Sequence, residues 1–209
     1  MSAADAMPAL TVRGLACQRG GRLVFRDLDC DMRAGEAIVL RGPNGSGKSS
    51  LLRLLAGLLR PSAGTIAWDG TDIDEDRDAH RARVAYLGAA DALKPGLTLA
   101  ENLAFHAALR GGGGDPHAAL SALGLGALAG LPARRLSQGQ RRRAALARLA
   151  VTPARLWLLD EPTLALDEDA IGRLGTMLGA HLAAGGMAAI ATHVDLPVAA
   201  AASIEFAAP

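Results

Sequence analysis

Gly42-Pro43-Asn44-Gly45-Ser46-Gly47-Lys48-Ser49-Ser50 decides the reading of this chain. Glycine, four residues, then Gly-Lys-Ser is the spacing of a phosphate-binding loop. The apolar run Ala37-Ile38-Val39-Leu40 before it predicts a buried strand. Leu51-Leu52-Arg53-Leu54-Leu55-Ala56 after it predicts a helix. Glycines let phosphate oxygens approach bare backbone N–H groups that a Cβ would shield. The loop also opens a helix N-terminus, whose free N–H groups and positive dipole end favour an anion. Lys48 is the expected cation for β- and γ-phosphates, and the Ser49 hydroxyl the expected Mg²⁺ ligand. An ordinary glycine-rich turn with a chance lysine is the bland alternative, and the flanking strand and helix argue against it.

The rest of the composition sets bounds. With 209 residues, half of them apolar, the chain can build a full core. Twenty-two basic and 21 acidic residues nearly cancel, so net charge points to no direct nucleic-acid or anionic-membrane partner. Aromatics are 3%, too few for base-stacking platforms. Cys17 and Cys30 lack Cys-x-x-Cys spacing or a His cluster and read as buried, reduced thiols. Residues 1–10 carry Asp5 and no basic segment followed by an apolar core, so no signal peptide is expected. The uncharged stretch 174–194 is interrupted by Gly185-Gly186 and reads as helix, turn and buried strand rather than a membrane span.

Residues 10–16 and 28–32 read as strands around a loop at Gly20-Gly21. Thr65-Ile66-Ala67-Trp68 and Val84-Ala85-Tyr86-Leu87 read as further strands, with a charged surface segment over 72–83 between them. Residues 98–150 read as mostly helical. There Thr98 can cap, with Glu101 as its capping-box partner, and Pro116 starts a second helix. Leu156-Trp157-Leu158-Leu159 and Ala188-Ala189-Ile190-Ala191 read as buried parallel strands, and residues 203–206 as a weak last strand. The expected fold class is α/β: a phosphate-loop core with a mixed, mainly parallel sheet and an inserted helical subdomain. Residues 1–209 form one domain on this reading, with the helical subdomain over about 92–150.

Two further motifs carry chemistry. The strand ending in Asp160-Glu161 puts Asp160 at a C-terminal strand edge, expected beside the strand of the phosphate loop, where it can hold a Mg²⁺ shell. Glu161 is then placed to polarise an attacking water. Leu136-Ser137-Gln138-Gly139-Gln140 opens a helix, which makes a second anion site or, more plainly, a helix cap at Ser137. Arg141-Arg142-Arg143 reads as a solvated or phosphate-near face of that helix rather than a nucleic-acid patch.

In this order the phosphate loop, the Asp-Glu strand and Leu136-Ser137-Gln138-Gly139-Gln140 resemble the ATP-binding cassette (ABC) ATPases over about residues 10–196. The resemblance implies a homodimer closed across ATP. Ser137, Gln138, Gly139 and Gln140 would cap the γ-phosphate held by the other subunit. It also implies a D-loop at Ala165-Leu166-Asp167 and a switch histidine, His193, at the γ-phosphate. Two positions depart from the pattern. Ala90 stands where the family has a glutamine that reaches Mg²⁺ and the membrane partner, so a water or Asp91 would substitute. Arg19 or a neighbour stands where an aromatic residue stacks on adenine, a place a guanidinium can fill.

The chain carries no fused membrane helix or regulatory C-terminal extension on this reading. Residues 15–22, 86–88 with 93–98, 131–137 and the whole segment 136–167 resemble one branch, the ATP-binding subunits of the haem exporters of cytochrome c maturation, although Ala89 replaces a histidine frequent there. The resemblance implies a peripheral protein on the cytoplasmic face of the bacterial inner membrane. It would hydrolyse ATP with integral membrane subunits of the maturation complex, which, rather than this chain, would contact haem. Three other readings stay open. One is the motor of a drug, lipid or peptide exporter. Another is a soluble cassette ATPase acting on DNA or ribosomes, which usually carries a second cassette or basic extensions. The third is a small-molecule kinase, which has no need of residues 136–140.

Overall fold

The computed structural model describes residues 9–207; residues 1–8, on which most of the signal-peptide reading falls, lie outside them. Two sheets organise the chain. The first is antiparallel, in the order β2-β1-β4-β5, with β1 Leu10–Arg19, β2 Arg22–Met32, β4 Ala63–Trp68 and β5 Thr71–Asp72. The second is parallel throughout, in the order β6-β7-β8-β3-β9, with β3 Ala37–Arg41, β6 Val84–Leu87, β7 Leu156–Asp160, β8 Met187–Ala191 and β9 Ala202–Glu205. The expected mixture of strand directions is therefore a division between two sheets.

Gly20 and Gly21 have φ of 55° and 79°. Positive φ at both central residues is the requirement of a type I′ two-residue hairpin turn. The turn lets β1 and β2 run on until Arg19 pairs Arg22, so these strands are longer than the sequence indicates.

The parallel sheet lies between two hydrophobic clusters, and strand alternation decides which residue joins which. In β7, Leu156 and Leu158 face the antiparallel sheet and α1 (Lys48–Leu55). Trp157 and Leu159 face the helices of the other layer. In β8, Ala189 and Ala191 join the first cluster, and Ala188 and Ile190 the second. Both strands are buried along their whole length, as near-continuous apolar runs require in a sheet covered on two sides. Each fully buried leucine contributes about 1.5–3 kcal/mol of transfer free energy.

Between β6 and β7 come α3 (Leu99–Leu109), α4 (Pro116–Ala122) and α5 (Gln138–Ala150). Thr98 and Glu101 form a reciprocal capping box on α3, and Pro116 occupies the first turn of α4. Buried Asn102 donates to the carbonyls of Lys94, Leu97 and Thr98 and accepts from the Lys94 N–H, pinning the approach to α3. The charged segment 72–83 contains a short helix, α2 (Arg77–Ala82), capped by Asp76 and burying His80. Helix α6 (Glu168–Ala183) and β8 take up the uncharged stretch. Among the described residues no helix is long and apolar enough to cross a membrane.

Candidate functional site

The phosphate loop leaves β3 and turns into α1. The turn is set by glycines with positive φ: Gly42 at 134°, Gly45 at 81° and Gly47 at 113°. A Cβ on Gly47 would lie 2.8 Å from Val24 Cγ1, and one on Gly42 would lie 2.5 Å from the Phe206 carbonyl oxygen. Steric room as well as conformation therefore demands glycine at both positions.

Gly47 caps α1 without a side-chain hydrogen bond, whereas α2 to α6 are capped by Asp76, Thr98, Asp115, Ser137 and Asp167. The first N–H groups of α1 thus keep their donors for an anion. Ser46 Oγ is buried without a hydrogen-bond partner. Lys48 is buried, and its Nζ donates to the carbonyls of Gly42 (2.6 Å) and Pro43 (3.0 Å), which arches the side chain over the loop. A cavity of about 360 Å³ opens here, lined by residues 44–50 together with Arg19, Val24, Arg53, Asp160 and Glu161.

Asp160 reaches the loop differently from the expectation. Strand β8 lies between β3 and β7, so β7 is not the neighbour of the loop strand. Helix α1 crosses over β7 instead and brings Ser49 Oγ to donate to Asp160 Oδ1 at 2.9 Å. The Tyr86 hydroxyl donates to Asp160 Oδ2 at 3.4 Å. Burial, with the Asp160 carboxylate adding to it, pushes the Tyr86 pKa up, so the phenol keeps its proton. Arg53 lies beside Tyr86, the leading influence that raises its guanidinium pKa above the ordinary value. Neither Tyr86 nor Arg53 stands out in the sequence as a site residue; only α1 lying across the strand ends brings them together.

Glu161 follows β7 with φ at 46°, a left-handed conformation that a residue with a Cβ adopts at a cost. Its N–H is held by the Ala191 carbonyl at 2.8 Å. His193 Nε2 lies 3.2 Å from Glu161 Oε1 and 3.3 Å from Asn44 Oδ1. Two acceptors at one nitrogen call for the hydrogen on Nε2. The loop, β7 and the segment after β8 therefore converge on one place.

Residues fit a nucleotide and a divalent ion here. The uncapped helix, the unpartnered Ser46 hydroxyl and the buried lysine suit phosphate. Among the described residues no three His, Cys, Asp or Glu side chains form a metal cage. A Mg²⁺ ion would then be held by Ser49 and Asp160 with phosphate oxygens completing its shell.

Residues 136–140 do not line the cavity. Ser137 is exposed and caps α5, accepting from the Gln140 N–H, while Gln140 Oε1 accepts from the Ser137 N–H. Gly139 is required by packing, since a Cβ there would meet the Ala165 carbonyl oxygen at 2.8 Å. Ala165 itself has φ at 62°. Asp167 caps α6 through the Ala170 N–H.

Two expectations need correction. Arg142 is not on a solvated or phosphate-near face; it is buried, and its guanidinium is spent on the carbonyls of Gly88, Asp160, Glu161 and Pro162. Residues 142, 145, 146 and 149 are all buried, the spacing of a helix face, and that periodicity is the signal that identifies it. Asp91 does not substitute at the cavity: it pairs with Arg142 at 3.5 Å and is absent from the lining, as is Ala90.

The comparisons agree with this geometry. A family model described as ABC transporter matches residues 25–164, more than half of the chain. The cytochrome c biogenesis ATP-binding export protein CcmA of Paramagnetospirillum magneticum is 53% identical over 195 residues, covering 89% of this chain and 88% of its own. The protein of the same name from Nitrosococcus oceani is 48% identical, covering 98% and 94%. Among solved structures, an ATP-binding subunit of an ABC transporter superposes with a TM-score of 0.79 at 26% identity, covering 89% of this chain and 80% of its own. An ATP-binding cassette solved as a dimer in a post-hydrolysis state with ADP and Pi gives 0.76 at 24% identity, covering 88% of each chain, and speaks for the fold alone. The chain belongs to the ABC transporter ATPase family, among the cytochrome c biogenesis ATP-binding export proteins.

Proposed function

We propose that this chain is the ATP-hydrolysing motor of a haem exporter serving cytochrome c assembly. The observation that carries the ATPase reading is the convergence of Lys48, Ser49, Asp160, Glu161 and His193 at one glycine-built anion site. Similarity to export proteins of cytochrome c biogenesis supports the cargo.

The loop N–H groups and Lys48 bind the β- and γ-phosphates, and Arg19 stacks on the base. Ser49 and Asp160 would hold Mg²⁺, which would supply positive charge to neutralise the phosphates. Glu161 accepts the proton of the attacking water while the water oxygen bonds to the γ-phosphorus and the bond to the bridging oxygen breaks, releasing ADP and phosphate. His193, beside Glu161 Oε1, orients that carboxylate and the γ-phosphate. Ser137 and Gly139 lie away from the chain's own cavity. They cap the γ-phosphate in the partner subunit of a homodimer, with Gln138, Gln140 and Asp167 at the same interface. Integral membrane subunits of the maturation complex contact haem, and this chain sits peripherally on the cytoplasmic face of the inner membrane.

Replacing the cellular copy with Glu161→Gln tests both halves. ATP still binds because Lys48, Ser49 and Asp160 remain, but turnover in the co-purified membrane complex stops. Haem staining should show loss of holo-cytochrome c. Wild-type turnover would remove Glu161 from its role; lost turnover with normal cytochrome c would assign the motor to a different exporter.

A further inference from the structure

We propose that Arg142 is a positioning residue for Glu161, and that its clamp ties the loop 88–91 to the end of β7. This rests on Glu161 acting as the water-activating group. Glu161 needs an external restraint, because its φ of 46° is a conformation that an L-residue leaves when nothing holds it. Its N–H is fixed by Ala191 at 2.8 Å. Its carbonyl is fixed by Arg142 Nη2 at 2.8 Å, and the same nitrogen donates to the Asp160 carbonyl at 2.9 Å. Nε donates to the Pro162 carbonyl at 3.4 Å. One edge of the guanidinium thus grips three consecutive carbonyls at the strand end.

The remaining nitrogen, Nη1, faces the other way. It donates to the Gly88 carbonyl at 2.9 Å and lies 3.5 Å from Asp91 Oδ1. The Asp91 carbonyl also accepts from Arg148 Nη1 at 2.6 Å, six residues or about 1.7 turns further along α5. Arg142 is only five positions after Ser137, so one rigid helix carries the exposed Ser137 turn and the clamp. Movement of loop 88–91 or of α5 therefore pulls on the Glu161 backbone directly. Only a planar fork with donors on both edges does this; lysine has a point charge and no fork.

The test uses the full-length chain co-purified with its membrane partners, comparing steady-state hydrolysis, binding of a fluorescent ATP analogue and thermal melting. Arg142→Gln should lower kcat by about tenfold or more while KM and analogue affinity stay within about twofold, the pattern of an interaction needed only in the transition state. Arg142→Lys should recover part of that loss. In a Glu161→Gln background, Arg142→Gln should leave the residual single-turnover rate unchanged, since both act through one group. A kcat loss matched by an equal loss of affinity would make Arg142 a scaffold residue and overturn the proposal, as would wild-type kcat. Should Arg142→Gln fail to fold, Asp91→Asn keeps the carbonyl contacts and removes the charged partner. It should lower kcat by a few fold at constant KM, and wild-type kcat there would overturn the link to loop 88–91. Wild-type turnover by Glu161→Gln alone would instead reject the role of Glu161 and leave the clamp without a catalytic target.

Discussion

A methyl group on Gly47 has nowhere to go: Val24 Cγ1 would lie 2.8 Å away and Phe25 Cδ1 3.1 Å away, and φ is 113°. At Gly45 φ is also positive, at 81°, but nothing lies within 4 Å of the place a Cβ would take. Gly45→Ala therefore adds conformational strain alone, on the order of 1–2 kcal/mol. Gly47→Ala adds a clash against the antiparallel sheet as well. Titration with a fluorescent ATP analogue should show roughly a tenfold weaker affinity for Gly45→Ala and a larger loss for Gly47→Ala; equal affinities would mean the loop relaxes freely. Spacing made Gly47, Lys48 and Ser49 legible, because phosphate chemistry demands those types at those intervals; Asp160 was legible only as the acid that ends an apolar strand. Arg142 and the Arg53-Tyr86-Asp160 contacts escaped, since a guanidinium on backbone carbonyls leaves no residue-type signature. The arginine triplet looks charged and solvated until its middle member is set against the helical period.

At the scale of elements, α5 combines two duties in its first turn. Within the chain, Ser137 and Gln140 close a capping box, and replacing such a cap by alanine typically costs about 1 kcal/mol. Toward a partner, the same exposed turn presents the Ser137 hydroxyl and the helix N-terminus. The two are separable by complementation. Ser137→Arg damages the turn and spares the cavity; Lys48→Ala does the reverse. A forced heterodimer of the two variants holds one composite site with both halves intact, so its ATPase rate should return to about half of wild type if the sites act independently. Rates no higher than in either mutant homodimer would count against a site shared across subunits. Helices α3 and α4 were readable from Thr98, Glu101 and Pro116, whose cap chemistry is local. Helix α2 was not, since Asp76 and six polar or small residues give no apolar stripe; its one buried anchor, His80, looks polar in sequence. The placement of β8 between β3 and β7 was equally hidden, because strand order is a tertiary choice that no window of sequence encodes.

For the whole molecule, the parallel sheet serves two cores at once, and histidines are built into the packing on both sides. His80 is 1% exposed, with Nε2 bonded to the Leu55 carbonyl at 2.7 Å and its ring edge-on to Trp68. The His181 ring stacks on Trp157 with centroids 3.8 Å apart, and its Nε2 lies 3.1 Å from the Met187 carbonyl. His106 is partly buried on α3. Burial is the leading cause that lowers the pKa of all three below the ordinary 6.5. The unfolded chain therefore binds more protons than the fold once pH falls to about 6.5, and stability is lost from there downward. The carboxylates with lowered pKa, Asp31 beside Arg13 and Glu101 in its capping box, add their losses only below about 4.5. The interval between about 6.5 and 4.5 isolates the histidines. Melting followed by circular dichroism, without nucleotide and at constant ionic strength, should give a Tm that is flat above pH 7 and falls steadily to pH 5. His181→Phe keeps an aromatic ring over Trp157 and removes the titrating group, so its Tm should fall less over the same interval. A Tm independent of pH from 7.5 to 5 in the wild-type chain would mean that the buried imidazoles accept protons without disturbing the packing around Trp68 and Trp157.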